Sequence, residues 1–402
     1  MIKVYTCAPM PFVADDAFFT RDSGLLCRQF RALGVESKVV MPALGSNEST
    51  DPADVIRATK SQFVDPLWWK SLDIDAVVFV TWGFPEHTSV IRAARDAGIR
   101  TCAIFETGGN SYPYGGFLST IVTFWRKGKF VEAFPKRFAG TAARAVAYTF
   151  SGLVSCYHRS VQIGIPHLAT FDSPSAMSRC LDTMKFFPWL DVNSEASLVG
   201  YPTPDFFSPA RREERRTNVV AIARWDAIRH KRPHMLMHMS ELLLKSHPTV
   251  TIEIFGRLIP ALEQWHANLD ASVASRVSLL GIQPSQKVAR AIGTSQVLYC
   301  PSAGDGIPLV VIEGLCGGCS VAGLKTLDVP ALYWAGSEGD GSLVPDDSVE
   351  SNTRAVLAEL EAWEENRRDP MAISEKWKHW FSADQVSRRL LKLLFPDGEA
   401  AS

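Results

Sequence analysis

The sequence lacks several features that would assign it to a specialised class of protein. Its 42 lysines and arginines are balanced by 43 acidic residues, so the basic excess of a dedicated nucleic-acid binder is missing. No apolar run approaches the ~20 residues of a membrane span. The first residues show no charged segment followed by an apolar one, as in a signal peptide. We therefore expect a cytoplasmic protein that is soluble or peripheral to the inner face of a membrane.

Cysteine and metal chemistry find little support in the sequence. The eight cysteines are scattered, which is more typical of buried small hydrophobic residues in a reducing compartment than of a disulfide framework. Cys316 and Cys319 form a CxxC pair, but no second pair or nearby histidines supply the other ligands of a zinc site. No DxD motif lies at a convincing strand end. The sequence thus predicts no metal site and no cofactor.

What the sequence does contain is a regular alternation of short apolar runs and helix-length segments. Fully apolar short strands separated by helices indicate parallel sheets covered on both faces. The first helix is expected around Leu25 to Leu33, with Gly34 as its end. The predicted strands are 2–5, 38–41, 76–80, 101–105, 219–223, 250–255, 277–280, 297–300 and 320–322.

A change of composition near residue 205 divides the sequence. Prolines are dense in 200–209, and the next eight residues carry six charges before a new apolar strand begins. This pattern predicts a linker at about 203–217 between two doubly wound α/β domains. The domains are expected over 1–205 and 206–380, with a further segment over 381–402. Parallel sheets bind ligands beyond the carboxyl ends of their strands, so the cleft between the domains is the expected site.

The densest cluster of candidate site residues follows the strand 297–300. Asp305 lies in a loop, Pro308 leads into an apolar helix, and Glu313 follows about two helical turns later. A helix N-terminus offers unpaired N–H groups to a phosphate, and the two acids can accept hydrogen bonds from hydroxyl groups. The alternative is that Asp305 caps the helix and Glu313 is solvated.

This segment resembles the E-x7-E region of retaining glycosyltransferases of the GT-B fold, glycosyltransferase family 4. Asp305 takes the place of the first Glu and Glu313 that of the second. The resemblance implies that Asp305 contacts the transferred sugar and Glu313 the ribose, while the backbone between them meets the diphosphate. Asp305 is one methylene shorter than Glu, and Pro308 lacks an N–H group. The implied contacts in this segment are Ser302, Asp305, Gly306, Ile307, Pro308, Leu309 and Glu313.

A basic loop supplies a second match. Arg224 and Lys231 follow the strand 219–223 and resemble the Arg and Lys that bind the donor diphosphate in that family. Such cations form strong charge-assisted hydrogen bonds with phosphate oxygens. The loop is longer than usual, so Arg229 or Arg232 can take the place of either. Gly281 and Ile282 resemble the loop that meets the nucleobase, and 381–394 resembles a helix that returns to the first domain.

The first half contains weaker candidates, which we assign to the acceptor side. Ser23 and Gly24 lie at a helix start, where a phosphate or an ordinary cap is expected. His87 follows a strand and is otherwise a surface helix residue. Three further candidates follow the strand 101–105: Glu106, Gly108 and Gly109.

The resemblance therefore implies a metal-independent retaining hexosyltransferase of GT-B fold, acting in polysaccharide biosynthesis. Its donor is a nucleoside diphosphate sugar, and its acceptor is a glycan, a lipid-linked glycan or a small molecule. A binding protein without activity, and a GT-B epimerase or phosphorylase, remain alternatives. The basic, aromatic segment 117–148 either contacts an anionic membrane or packs on its own domain.

Overall fold

The chain forms two compact units in a computed structural model that describes residues 1–44, 51–81, 85–105, 161–163, 199–215, 217–305, 308–326 and 329–396. The first unit holds the described residues up to 202 and those from 383 onward. The second unit holds the described residues from 203 to 382. Among the described residues, the first unit is thus interrupted in sequence, whereas the second forms one stretch.

The first unit contains a six-stranded parallel sheet in the order β3-β2-β1-β4-β5-β6. Its strands are β1 (Val4–Cys7), β2 (Val39–Pro42), β3 (Val55–Ala58), β4 (Ala76–Thr81), β5 (Arg100–Phe105) and β6 (Val161–Ile163). The four strands predicted in this half are confirmed. Strands β3 and β6 were not predicted, because the first is interrupted by Arg57 and the second has only three residues.

Helices cover this sheet: α1 (Asp22–Ala32), α2 (Lys60–Phe63), α3 (Pro66–Ser71) and α4 (Pro85–Asp96). The predicted stop of the first helix is confirmed, since Gly34 has a φ of +80°, which glycine adopts without strain. Trp69, Phe79 and Ile91 are fully buried in one core cluster. The indole of Trp69 donates a hydrogen bond to the Phe63 carbonyl oxygen at 2.9 Å, so its polar atom is satisfied inside the core.

A C-terminal helix, Ala383–Leu394, completes the first unit. Val386, Leu390 and Leu394 are buried at helical spacing, and the helix packs on α1 and β5. Arg389 Nε donates to the Val199 carbonyl oxygen at 2.9 Å. This helix therefore belongs to the first unit, although it follows the second unit in sequence.

The second unit contains another six-stranded parallel sheet, in the order β12-β11-β10-β7-β8-β9. Its strands are β7 (Thr217–Ile222), β8 (Ile252–Phe255), β9 (Val277–Gly281), β10 (Ser295–Cys300), β11 (Ser320–Leu324) and β12 (Gly341–Val344). All five predicted strands are present. The sequence analysis missed β12, which contains only two large apolar residues.

Nine α-helices lie among the described residues of the second unit: α5 (Ile228–Lys231), α6 (Pro233–Ser246), α7 (Pro260–Ala267), α8 (Ala271–Ala274), α9 (Ser285–Thr294), α10 (Leu309–Cys316), α11 (Pro330–Ser337), α12 (Val349–Glu364) and α13 (Pro370–Phe381). Helices α6 and α12 pack side by side, and α12 also covers β10, β11 and β12. In chain order α6 follows β7 and α12 follows β12. Because the sheet is parallel, both helices begin at its carboxyl edge.

The prediction of a linker at 203–217 is wrong. These residues belong to the second unit, where Phe207 and Arg215 are buried and the Ala210 N–H donates to the Gly293 carbonyl oxygen at 2.9 Å. Arg211, Glu213 and Glu214 are exposed, so the charges that suggested a linker lie on the surface of a packed segment. The chain divides after Pro202 and again after Ser382.

Candidate functional site

The loop that follows β7 is fixed by a buried tryptophan. Trp225 is fully buried, and its indole donates to the Phe255 carbonyl oxygen at 2.8 Å. Its backbone N–H donates to the Arg257 carbonyl oxygen at 3.1 Å. Arg224, directly before it, is exposed at the carboxyl edge of the sheet. The loop thus presents a guanidinium to solvent from an anchored backbone.

Gly256 allows this anchoring, and the sequence analysis missed it. Its φ is +103°, and a Cβ built on it would lie 1.8 Å from the Ala223 carbonyl oxygen. Only glycine permits so close an approach of two backbones. A glycine directly after a predicted strand was the available signal, because such a glycine often marks close backbone packing at a sheet edge.

The basic loop continues into the short helix α5, which ends at Lys231. Lys231 is largely buried, with 15% of its side chain exposed, whereas Arg229 is exposed. Arg232 follows in the left-handed conformation, with a φ of +50°, and is buried. The chain then enters α6 at Pro233, a residue suited to the first turn of a helix. Among the cations of this loop, Lys231 therefore has a side chain that is largely buried but still partly accessible to solvent.

The acidic segment begins at the end of β10. Cys300 and Ser302 are buried, and burial raises the pKa of the Cys300 thiol, an effect partly offset by the Lys231 charge and by hydrogen bonds to Ser302. Pro308 precedes α10, whose eight residues include Glu313 on a partly exposed position. No side chain among the described residues caps the start of α10. Asp305 is therefore not its cap, contrary to the structural alternative.

The two predicted motifs meet in the second unit. The Lys231 ammonium donates to the Asp305 carboxylate, and the Ala303 N–H donates to the His230 carbonyl oxygen at 3.1 Å. One contact joins side chains and the other joins backbones, so the basic loop and the acidic segment are held together twice. A cation and a carboxylate thus lie before a helix N-terminus, which suits recognition of a phosphate with a neighbouring hydroxyl group.

The predicted base-binding loop lies at the end of β9. Gly281 has a φ of +66°, and its carbonyl oxygen accepts a hydrogen bond from the Gly256 N–H at 2.9 Å. Ile282 has 71% of its surface exposed, unusual for a large apolar side chain. The loop is therefore tied to the same edge as Arg224 through Gly256, and Ile282 offers an apolar face there.

The candidates in the first unit have structural surroundings of their own. Ser23 is buried, and its hydroxyl group has no hydrogen-bond partner among the described residues. A Cβ on Gly24 would lie 2.5 Å from the Phe18 carbonyl oxygen, so packing alone requires glycine there. His87 is 4% exposed within α4, and its interpretation as a surface helix residue is wrong. Gly306, Ile307, Glu106, Gly108, Gly109 and the segment 117–148 lie outside the described residues.

Arg215 is a second residue that the sequence analysis missed. It is buried, and its guanidinium donates to the carbonyl oxygens of Ser295 and, at 3.0 Å, of Gly317. These carbonyls lie at the carboxyl ends of α9 and α10, where a cation is favoured by the helix dipole. Arg215 lies in a run of charged residues, which is typical of an exposed segment, so its burial was not predicted from the sequence.

The CxxC pair has a structural setting. Cys316 and Cys319 are fully buried, and the Cys319 thiol donates to the Ile292 carbonyl oxygen at 3.1 Å. Burial raises the pKa of Cys319 to about 11, so the thiol stays protonated and unreactive at neutral pH. Among the described residues no three His, Cys, Asp or Glu side chains cluster as metal ligands. Within the same ranges, no helix has the length and apolar character needed to span a membrane.

Comparison with known proteins agrees with this geometry. The family model of glycosyl transferases group 1 matches residues 216–361, a stretch that includes both motifs. No curated protein matches the chain at a significant level.

Solved structures match over almost the whole chain. A glycosyltransferase from Rickettsia africae has a TM-score of 0.63 at 10% identity, covering 98% of each chain. Sucrose-phosphate synthase from Thermosynechococcus elongatus has a TM-score of 0.60 at 11% identity, covering 100% of each. Anabaena HepE in complex with UDP has a TM-score of 0.59 at 13% identity, covering 98% of this chain and 99% of that one. The predicted GT-B fold of two Rossmann-like domains is therefore confirmed.

Proposed function

We propose that this chain is a glycosyltransferase that takes its sugar from a nucleoside diphosphate sugar bound by the second unit. The observation that carries the proposal is the meeting of Lys231 and Asp305, which lie 74 residues apart in two motifs identified separately. The family match over 216–361 and the UDP in the Anabaena relative support the same donor class.

Each residue of the candidate site is assigned a different part of the donor. Arg224 and Lys231 bind the diphosphate and stabilise the negative charge that grows on it as the bond to the sugar breaks. The start of α10 adds its N–H groups and dipole to the same task. Glu313 holds the ribose, Asp305 contacts sugar hydroxyl groups, and Ile282 lies against the base.

The finer assignment is a retaining enzyme of glycosyltransferase family 4 that moves a hexosyl group without a metal. Its support is the D-x7-E spacing of Asp305 and Glu313 together with the upstream basic loop. The acceptor is a glycan, a lipid-linked glycan or a small molecule, bound by the first unit through Glu106, Gly108 and Gly109. The segment 117–148 is proposed as a peripheral contact with an anionic membrane at the cytoplasmic face.

A ligand panel followed by a transfer assay tests this proposal. Melting temperatures are measured with UDP, GDP, ADP and dTDP and with the matching nucleosides. One diphosphate is expected to raise the melting temperature clearly and its nucleoside far less, because much of the binding comes from phosphate contacts. Sugars carried by that nucleotide are then tested for transfer and for hydrolysis, with and without EDTA.

Two variants connect the result to the site. Lys231→Met is expected to lose most of the diphosphate-induced shift, whereas Lys392→Met, at an exposed position on the C-terminal helix, keeps it. Binding without transfer or hydrolysis of any sugar would favour a non-catalytic protein. Activity that requires Mn²⁺ or Mg²⁺ would refute the metal-independent assignment, and no binding of any diphosphate would refute the donor site.

A further inference from the structure

Arg232 occupies a costly position beside the candidate site. It is 4% exposed, and its φ of +50° lies in the left-handed region that glycine adopts freely and larger residues avoid. It is the residue between two helices: it is the C-cap of the four-residue α5 and lies at the N-terminal end of the longer α6, where the helix dipole disfavours a positive charge. The left-handed backbone would accept glycine with less strain, and the dipole of α6 does not favour a cation, so contacts of the guanidinium must favour arginine at this position.

The guanidinium bridges two loops of the second unit. Its Nη2 donates to the carboxylate of Asp347, which lies in the turn between β12 and α12. That turn is firmly built, because the neighbouring Asp346 accepts a hydrogen bond from the Ser351 hydroxyl group at 2.7 Å and from the Ser348 N–H at 3.2 Å. Arg232 thus ties the start of α6 to a rigid turn at the start of α12.

The rest of the guanidinium is enclosed. Its Nη1 is buried and has no hydrogen-bond partner among the described residues. The charge lies close enough to Tyr299 to offset part of the rise in pKa that burial causes in that phenol. Tyr299 itself donates to Asn352 at 3.1 Å. Arg232 is therefore a buried cation with one carboxylate partner. Its unsatisfied Nη1 and its left-handed backbone both cost free energy of folding, and such costs are typical of residues with a functional role.

We propose that Arg232 is a positioning residue, which through Asp347 fixes the backbone of Lys231 so that its ammonium stays beside Asp305. The loop then has an anchor on each side of Lys231, since the His230 carbonyl oxygen already accepts from Ala303. The consequence for donor binding rests on the proposed function. The positioning of the Lys231 ammonium does not depend on that function and can be measured without any ligand.

The ligand-free test measures how fast each lysine is acetylated, by mass spectrometry. In the wild type Lys231 is expected to react slowly, because its ammonium is paired and largely buried. Arg232→Gly removes the guanidinium while keeping a residue suited to the left-handed backbone, and Asp347→Ala removes the carboxylate partner at a half-exposed position. Both variants are expected to acetylate Lys231 about five- to tenfold faster, with Lys392 unchanged as the internal control.

The ligand test compares the best-binding diphosphate with its nucleoside by calorimetry. Both variants are expected to weaken diphosphate binding about tenfold, with little change for the nucleoside, and Arg232→Lys is expected to restore part of the loss. If Arg232 had only a general structural role, its variants would bind the diphosphate and the nucleoside more weakly to the same extent. The loss of affinity would then parallel the fall in melting temperature. Unchanged Lys231 acetylation in both variants would overturn the inference, even if the wild type binds a diphosphate. Faster acetylation in a protein that binds no diphosphate would support the inference and refute the proposed function.

Discussion

The Lys231–Asp305 pair predicts that neutralising an acid will strengthen nucleotide binding. The ammonium proposed to hold the diphosphate has a carboxylate partner in the structure. A diphosphate must share that ammonium with Asp305 and tolerate a nearby negative charge. Asp305→Asn removes the charge but keeps the shape and one acceptor oxygen. We therefore expect tighter binding of the nucleoside diphosphate together with slower sugar transfer.

The size of the effect follows from the geometry. Two like charges on opposite sides of one ammonium are ~6 Å apart. Their repulsion is ~2.8 kcal/mol at an effective dielectric constant of ~20 and ~0.7 kcal/mol in bulk water. The side chains of Lys231 and Asp305 are 15% and 21% exposed, so the site lies between these limits. We expect a gain of ~1–2 kcal/mol, or about five- to thirtyfold in affinity.

Calorimetric titration with the best-binding diphosphate and with its nucleoside measures this gain. The nucleoside is expected to bind both proteins equally, and added salt is expected to shrink the difference for the diphosphate. Lys231→Met should move affinity in the opposite direction and also lower stability, because it leaves the Asp305 carboxylate without its cation. Weaker diphosphate binding by Asp305→Asn would refute the competition between carboxylate and phosphate.

Three further outcomes are expected. Gly256→Ala should lower stability by ~3 kcal/mol or more in denaturant unfolding, because its Cβ meets a backbone carbonyl. Gly339→Ala, with a similar positive φ but open space, should cost only ~1 kcal/mol, and equal losses would exclude the close approach as the cause. Arg215→Met should lower the free energy of unfolding by ~2–4 kcal/mol through the two helix ends, and nucleotide affinity should not change; a stability equal to wild type would contradict that role. Glu313→Ala should weaken nucleoside and diphosphate binding alike, since the proposed contact is to the ribose, whereas the exposed Glu375→Ala should leave both unchanged; loss confined to the diphosphate would reassign Glu313.

The fold was largely predictable because its strands are short, apolar and buried. Every predicted strand is present, since β-branched runs such as Val219 to Ile222 have no other stable placement than a covered sheet. The strands that were missed carry a weak apolar signal, as β12 shows. The linker was wrongly predicted because charge density reports exposure of side chains and not the packing of the backbone beneath them.

The candidate site was predictable where its residues are close together in sequence. The spacing of Asp305 and Glu313 and the order of Arg224 and Lys231 can be read directly from the sequence, and they predict a phosphate-binding arrangement. Gly256 and the pairing of Arg232 with Asp347 depend on distances between segments far apart in the chain. A single sequence contains no record of those distances, so these supporting residues emerge only from the structure.

The interrupted first unit has a consequence for how the chain is made. The described residues of the second unit form one stretch, 203–382, which can complete its sheet while synthesis is still under way. The first unit begins earlier but must wait for the helix Ala383–Leu394, whose buried leucines cover α1 and β5. Until the ribosome releases that helix, an apolar surface of the first unit stays uncovered. Truncation just before Ala383 therefore removes few residues but leaves the earliest part of the protein unfinished and prone to aggregation.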